Sequence, residues 1–223
     1  MRIVIGNLKG GAAKTTTTCQ LAIWLALLGE GPIAAVDGDT DLATVEWLNL
    51  VADKLASYGG GPSSRIDVFD GTGVTNMKQV SQIERAGGYK YSLIDVEPKS
   101  KPLLEAALTD SRHRPVELVI PANPYLPDLR KLPETLAVAA QVRKASNPVN
   151  TRVLLSKVRF GTNHAESAPA QLEEHGIPRF RTLIPLRESI GYSWGTTIVD
   201  PAFADVIKEL GIVDTIPNGI RKD

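Results

Sequence analysis

The sequence predicts an α/β chain built on a mostly parallel, twisted sheet with helices on both faces. The rhythm of the chain points there first, because short apolar runs alternate with longer helix-like stretches from end to end. The first loop agrees: the apolar run Ile3-Val4-Ile5 passes into a glycine-bearing turn and then a helix-like stretch. Length agrees too, since 223 residues suit one domain with a substantial core.

Strands are expected near residues 2–6, 33–37, 66–70, 90–95, 116–121, 151–156 and 182–185. Helices are expected near 14–28, 42–55, 76–86, 101–110, 133–145, 165–175 and 201–210. Gly29 to Pro32 ends the first helix, and Gly59-Gly60-Gly61-Pro62 supplies a flexible turn before the third strand. Pro133 would break or kink any helix begun at Asp128, which leaves the start of that element open. No internal repeat, low-complexity tract or linker divides the chain, so residues 1–223 are expected to form a single domain.

Composition narrows the function. Lys plus Arg equals Asp plus Glu at 25 each, so a nucleic-acid partner would need a local basic patch. The single cysteine, Cys19, leaves no intramolecular disulfide framework and fits a reducing compartment. The apolar run from Leu21 to Leu28 is too short to cross a bilayer, which takes about 20 residues. No leader peptide is apparent at the start of the chain. The expectation is a soluble, cytoplasmic protein.

The densest chemistry lies in Asn7-Leu8-Lys9-Gly10-Gly11-Ala12-Ala13-Lys14-Thr15-Thr16. A strand, a glycine loop ending in Lys-Thr and a helix hold nucleotide phosphates, because loop N–H groups and the positive helix end face the anion. Lys14 would reach the β- and γ-phosphates and the Thr15 hydroxyl would bind Mg²⁺, with Gly10, Gly11, Ala12, Ala13 and Thr16 completing the cradle. The expected architecture is therefore a three-layer P-loop NTPase fold. Leu8 and Ala13 stand where the ordinary G-x-x-x-x-G-K-[ST] pattern has its two glycines. K-G-G-x-x-K-T-T instead resembles the deviant Walker A loop of the ParA/MinD family, usually K-G-G-x-G-K-[ST]. The resemblance implies ATP and Mg²⁺ as cofactors, and Lys9 as the signature lysine that crosses a dimer interface to the partner's nucleotide. Ala13 replaces a glycine that approaches the phosphates closely, so its methyl group is expected to weaken binding or to impede hydrolysis.

Ligands of open parallel sheets sit at the carboxyl ends of the strands. After the second expected strand, Asp37-Gly38-Asp39-Thr40-Asp41 and the residues on to Trp47 resemble the family's D-x-D-P-Q-x-x-x-x-x-W at Asp37, Asp39 and Trp47. The likeness implies that Asp39 orients the attacking water and couples to Mg²⁺ through water, while Asp37 supports the metal shell. Read alone, the acidic loop also suits a helix N-cap, but three acidic residues crowded beside a phosphate loop favour the metal-linked reading. After the fourth strand, Leu93-Ile94-Asp95 ends an apolar run in a carboxylate, the Walker B pattern that holds Mg²⁺. The family continues D-T-P-P-G, and here Val96, Glu97 and Lys99 depart while Pro98 matches. Pro121, Pro124 and Asp128 match V-P-x-x-P-x-x-x-D, a segment near the dimer interface in relatives. Lys157, Pro185 and Arg187 fall in the two loops that resemble those sandwiching adenine.

Other strings carry less. Gly191-Tyr192-Ser193-Trp194-Gly195 fits a nucleophile elbow, yet all three histidines precede it and Arg187-Glu188-Ser189 is not strand-like. His164-Ala165-Glu166 lacks the paired cysteines of a zinc deaminase site. Pro217 and Gly219 interrupt the tail, unlike the amphipathic membrane helix of MinD-type relatives, so no membrane partner is expected. Arg152, Lys157, Arg159, Arg179, Arg181, Arg187, Lys208, Arg221 and Lys222 gather in the last third. In ParA relatives a C-terminal basic surface binds nonspecific DNA once the ATP dimer forms. The resemblance thus implies a small ParA ATPase without an N-terminal helix-turn-helix domain, acting in DNA partition or positioning. It would be an ATP-dependent homodimer, nucleoid-associated through nonspecific DNA, and released by hydrolysis that a ParB-like centromere-binding activator stimulates. Ala13 and the altered Val96-Glu97 segment keep open a second class, a nucleotide-gated scaffold with little turnover. A third, an ATP-dependent ligase or synthetase on the same fold, has Lys9 against it.

Overall fold

A computed structural model describes residues 1–55, 57, 61–109, 114–145 and 148–217. Six strands are β1 (Arg2–Ile5), β2 (Ile33–Asp37), β3 (Ile66–Asp70), β4 (Tyr91–Asp95), β5 (Val116–Ala122) and β6 (Val149–Leu155). They form one all-parallel sheet in the order β3-β2-β4-β1-β5-β6. The connecting helices are α1 (Lys14–Leu27), α2 (Ala43–Leu55), α3 (Gly73–Gly87), α4 (Lys101–Leu108), α5 (Leu126–Leu129), α6 (Leu132–Ala145), α7 (Asn163–Glu174), α8 (Glu188–Gly191) and α9 (Pro201–Glu209). The expected α/β architecture is present, with every anticipated helix in place.

Apolar residues on both faces of each central strand produce the three layers. Side chains alternate across a strand, so Ile3 and Ile5 of β1 pack with α1, α2 and α9, while Val4 packs with α3, α4 and α6. Leu93 and Ile94 of β4, and Val119 and Ile120 of β5, split between the same two cores. The near-continuous apolar runs read in the sequence are what a doubly covered parallel sheet requires.

Register places the chemistry. Ile5 is aligned with Asp95, and Asp95 with Asp37, so the exits of β1, β4 and β2 stand level beside one another. β1 lies between β4 and β5. The loop after β1 therefore opens at the middle of the carboxyl edge, where such sheets bind ligands.

Arg2 anchors the opposite end of β1. Fully buried, it donates to both Glu84 oxygens, to Ser81 Oγ and to the carbonyls of Ala107 and Thr109. Burial works to raise the Glu84 carboxyl, but the guanidinium overrides it and holds the group below its ordinary value. This network joins β1 to α3 and to the end of α4.

One expected strand is corrected. Residues 182–185 form no ladder; the segment from Arg179 to Pro185 makes only isolated bridges, of Val153 with Arg179 and of Val158 with Pro185, among the described residues. Phe180 and Ile184 both donate to β6, at Val153 and Leu155, so the residues between them bulge away. Their N–H groups turn to a side chain instead, with Arg181 and Thr182 each donating 2.8 Å hydrogen bonds to the Glu209 carboxylate.

Pro133 resolves the open boundary: the chain forms two helices, α5 and α6, and Pro133 occupies the first turn of α6, where a missing N–H costs nothing. Gly61–Ser64 is a 3₁₀ turn, whereas Gly59 and Gly60 lie outside the described residues, as do His113, Gly219, Arg221 and Lys222. Among the described residues no helix is long and apolar enough to cross a membrane.

Candidate functional site

The loop between β1 and α1 is strapped down from several directions. Asn7 Nδ2 donates to the Pro121 carbonyl at 2.7 Å, and Asn7 Oδ1 accepts from Lys9 N–H at 2.9 Å. The N–H of Leu8 reaches Thr135 Oγ1, while its carbonyl accepts from Lys99 N–H at 2.9 Å. Gly11 and Ala13 are both left-handed, at φ of 73° and 66°. No side chain caps α1, so its first-turn N–H groups stay available to an anion.

Beneath the loop stand its cation and carboxylates. Lys14 is buried and forms no ion pair with a described residue. Burial lowers its ammonium pKa, while Asp95, Asp39 and Glu97 pull it back upward. Asp95 Oδ2 accepts from Thr15 Oγ1 at 2.7 Å and from Thr44 Oγ1 at 2.9 Å. Its other oxygen, Oδ1, is buried without a hydrogen-bond partner among the described residues. Burial pushes the Asp95 carboxyl up to about 7, against the two hydroxyls and Lys14, which lower it.

An orphaned carboxylate oxygen beside a hydroxyl is a donor set that suits Mg²⁺, a hard cation taking oxygen ligands and completing its shell with phosphate and water. Thr15 and Asp95 are the residues that fit it. No group of three or more acidic, histidine or cysteine side chains among the described residues converges as an all-protein metal cage.

Asp37 is spent differently. Its Oδ1 accepts from Asp39 N–H, and its Oδ2 from the N–H groups of Thr44 and Val45, so it fastens the turn into α2. Burial raises its pKa against those three amides. Gly38 is required between them, because a Cβ there would lie 2.8 Å from the Asp95 carbonyl oxygen. Asp39 itself is half-buried, and its carboxylate accepts from Asp41 N–H. Trp47, on α2, is buried and packs against Trp194 with ring centroids 5.1 Å apart.

Lys9 turns to the same chain: its Nζ lies 2.6 Å from Asp128 Oδ1. On the other side of the loop, Lys157 Nζ donates to the Gly11 carbonyl at 3.0 Å. Lys157, Pro185 and Arg187 line a pocket of about 170 Å³ together with Ala13, Thr16 and Ile190. Arg187 is paired with the buried Asp200, whose other oxygen caps α9 through Ala202 N–H. The residues expected at the phosphate and base ends are thus brought to one cleft.

Four non-glycine residues among the described ones have positive φ: Ala13 and Lys157, which line this cleft, Lys99, whose N–H donates to the phosphate loop at the Leu8 carbonyl, and Leu42 in the turn after Asp39. Such backbone costs about 1–2 kcal/mol per residue and gathers where function demands it. Ala13 and Lys99 stand where the ParA/MinD pattern has glycine, and both keep the glycine-like conformation.

Sequence reasoning passed over Thr44 and Asn123. Thr44 was hidden inside an acidic segment read for its carboxylates. Asn123 Nδ2 holds the second oxygen of Asp128 at 2.5 Å, and nothing in its spacing marks it. The basic cluster of the last third looks different in three dimensions. Arg152, Arg179, Arg187 and Lys208 pair with Glu117, Glu173, Asp200 and Asp205, respectively.

Residues 3–193 match the family model described as the CobQ/CobB/MinD/ParA nucleotide binding domain. The chain belongs to this family. It is 31% identical over 185 residues to the maintenance of carboxysome distribution protein A of Gloeobacter kilaueensis, covering 82% of this chain and 75% of that one. The chromosome-partitioning ATPase Soj of Thermus thermophilus is 29% identical over 224 residues, covering 90% and 88%. Among solved structures, the ATP complex of a Cyanothece McdA variant superposes with a TM-score of 0.71 over 97% of this chain and 98% of that one. Its 18% identity speaks for the fold alone. The matched family model is that of a nucleotide binding domain, and the relatives include a carboxysome-distribution protein and a chromosome-partitioning ATPase.

Proposed function

We propose that this single-domain chain is a ParA-type ATPase that uses Mg-ATP to position or partition a cargo. The observation that carries the reading is the convergence of Lys14, Thr15 and the orphaned Asp95 oxygen beneath an uncapped helix end. Gly10 to Thr16 would wrap the phosphates, with Thr15 and Asp95 holding Mg²⁺ and Lys14 neutralising charge on the transferred phosphoryl group. Asp39 orients the attacking water, and Asp37 keeps the Asp39 turn in place. Lys157, Pro185 and Arg187 hold base and ribose. Bound Mg²⁺ would supply charge neutralisation and alignment of the phosphate oxygens.

In this reading ATP closes two copies face to face, with Lys9 reaching the other copy's nucleotide. The dimer binds nonspecific DNA, and a ParB-like activator completes the hydrolytic site. Because so many C-terminal basic residues are paired with acids, DNA contact would fall to the others, such as Arg159 and Arg181.

The test is ATP turnover with and without DNA, beside salt-sensitive DNA retention in ATP and in ADP. Turnover lost in Lys14→Ala and retention confined to ATP are expected; a rate indifferent to Lys14→Ala overturns the ATPase assignment. The left-handed Ala13 favours a second reading, a nucleotide-gated scaffold that binds ATP and turns it over negligibly.

A further inference from the structure

We propose that Glu97 is a positioning residue of this site: through the Thr40 hydroxyl it holds the turn carrying Asp39 against the phosphate loop. The kinetic consequence rests on the ATPase reading above; the structural one does not.

Glu97 belongs to this chain and not to the D-T-P-P-G pattern, and the backbone on either side of it is fastened to the first loop. Val96 N–H donates to the Ile5 carbonyl at 3.1 Å, so the chain follows β1 past the end of β4. Lys99 N–H donates to the Leu8 carbonyl at 2.9 Å, from a left-handed conformation at φ 65°. Pro98 between them has its φ fixed by its ring, and its Cβ lies 4.0 Å from where a Cβ on Gly10 would sit. Glu97 is therefore held over the phosphate loop on a short strap tied at both ends.

Its side chain crosses to the neighbouring turn. Thr40 Oγ1 donates to Glu97 Oε1 at 3.4 Å, and that hydroxyl makes no other hydrogen bond with a described residue. The contact is long, as hydrogen bonds of unliganded sites often are before ligand draws them shorter. Thr40 directly follows Asp39, and no described residue outside the Asp37–Asp41 stretch bonds the Asp39 side chain. Glu97 and Asp39 both lie within electrostatic reach of Lys14, so the strap and the turn face the same cation. A rigid first loop thus acts through Glu97 on the more exposed turn that must place Asp39. Misplacing a catalytic group by an ångström costs up to about 100-fold in rate.

Glutamine keeps an acceptor oxygen for Thr40 while losing the charge, and this separates holding from charge chemistry. Hydrogen exchange of the apo protein is measured for residues 38–42, alongside kcat and KM for ATP. Glu97→Ala and Thr40→Val should each speed exchange there by about threefold or more, and the double variant should add nothing further. Both should lower kcat by about tenfold with KM within about twofold, and Glu97→Gln should restore at least about half of the wild-type kcat. Unchanged exchange in either single variant, additive effects in the double, or a Glu97→Gln as impaired as Glu97→Ala overturns the proposal. A wild-type protein without turnover would sink the hydrolysis reading and leave exchange to decide this one.

Discussion

Lys9 Nζ and Asp128 Oδ1 form a 2.6 Å ion pair within one chain, at the mouth of the phosphate loop. Asp128 is nearly buried and is held by Asn123, whereas Lys9 is about one-third exposed at 31%. In the proposed ATP dimer, Lys9 has to leave this partner before it can reach the second copy. Asp128→Asn is therefore expected to tighten the ATP-dependent dimer by about fivefold, the worth of a partly exposed pair near 1 kcal/mol. Lys9→Ala should weaken it, and light scattering with a slowly hydrolysed ATP analogue reads both.

Ala13 caps α1 with φ 66° and ψ 32°, a conformation that glycine enters freely. Ala13→Gly relieves about 1–2 kcal/mol of native-state strain and forfeits about 0.4–1 kcal/mol through the looser unfolded chain. The net expectation is a gain of between about zero and about 1.6 kcal/mol in urea denaturation. Mg-ATP affinity should rise in the same variant, since the phosphates can approach a bare backbone; calorimetry measures it.

Asp95 makes the apo protein sensitive to pH. The fold raises this carboxyl to about 7, so between about pH 4 and pH 7 the native state keeps a proton that the unfolded chain has released. Stability contributed by the protonated form is full at the low end and is lost as pH rises through 7. Relative to Asp95→Asn, the wild type should lose a few kcal/mol across that window, at about 1.4 kcal/mol per unit, and then level off. Mg-ATP affinity should climb over the same interval, because a metal ligand must be deprotonated. A wild-type minus Asp95→Asn difference flat with pH would contradict this.

Arg2 predicts the largest loss of stability. Arg2→Met strands the buried Glu84 carboxylate and should cost about 3–5 kcal/mol by chemical denaturation. Replacing Glu84 by Gln in the same chain should recover part of it, since the stranded charge is then gone.

Most of the fold was legible because its signals are local. The double-faced apolar runs of β1, β4 and β5 announce a covered parallel sheet, and Gly29 stands where the first helix stops. Leu183 and Ile184 read as a strand for the same local reason, yet their backbone neighbours answer to Glu209, more than 20 residues further along. The site divides along the same line. The loop and Asp95 are contiguous strings with a recognisable spacing. The pairing of Lys157 with Gly11 spans 146 residues, and that of Thr44 with Asp95 spans 51; tertiary register alone creates them.

The side-chain-bearing residues forced into glycine's territory, Ala13 and Lys157 of the cleft among them, have a cost that falls on durability. Each is a place where substitution could make the protein hardier at high temperature while slackening the rim that must fit a ligand. A screen for heat resistance alone would drift toward these positions and trade away function.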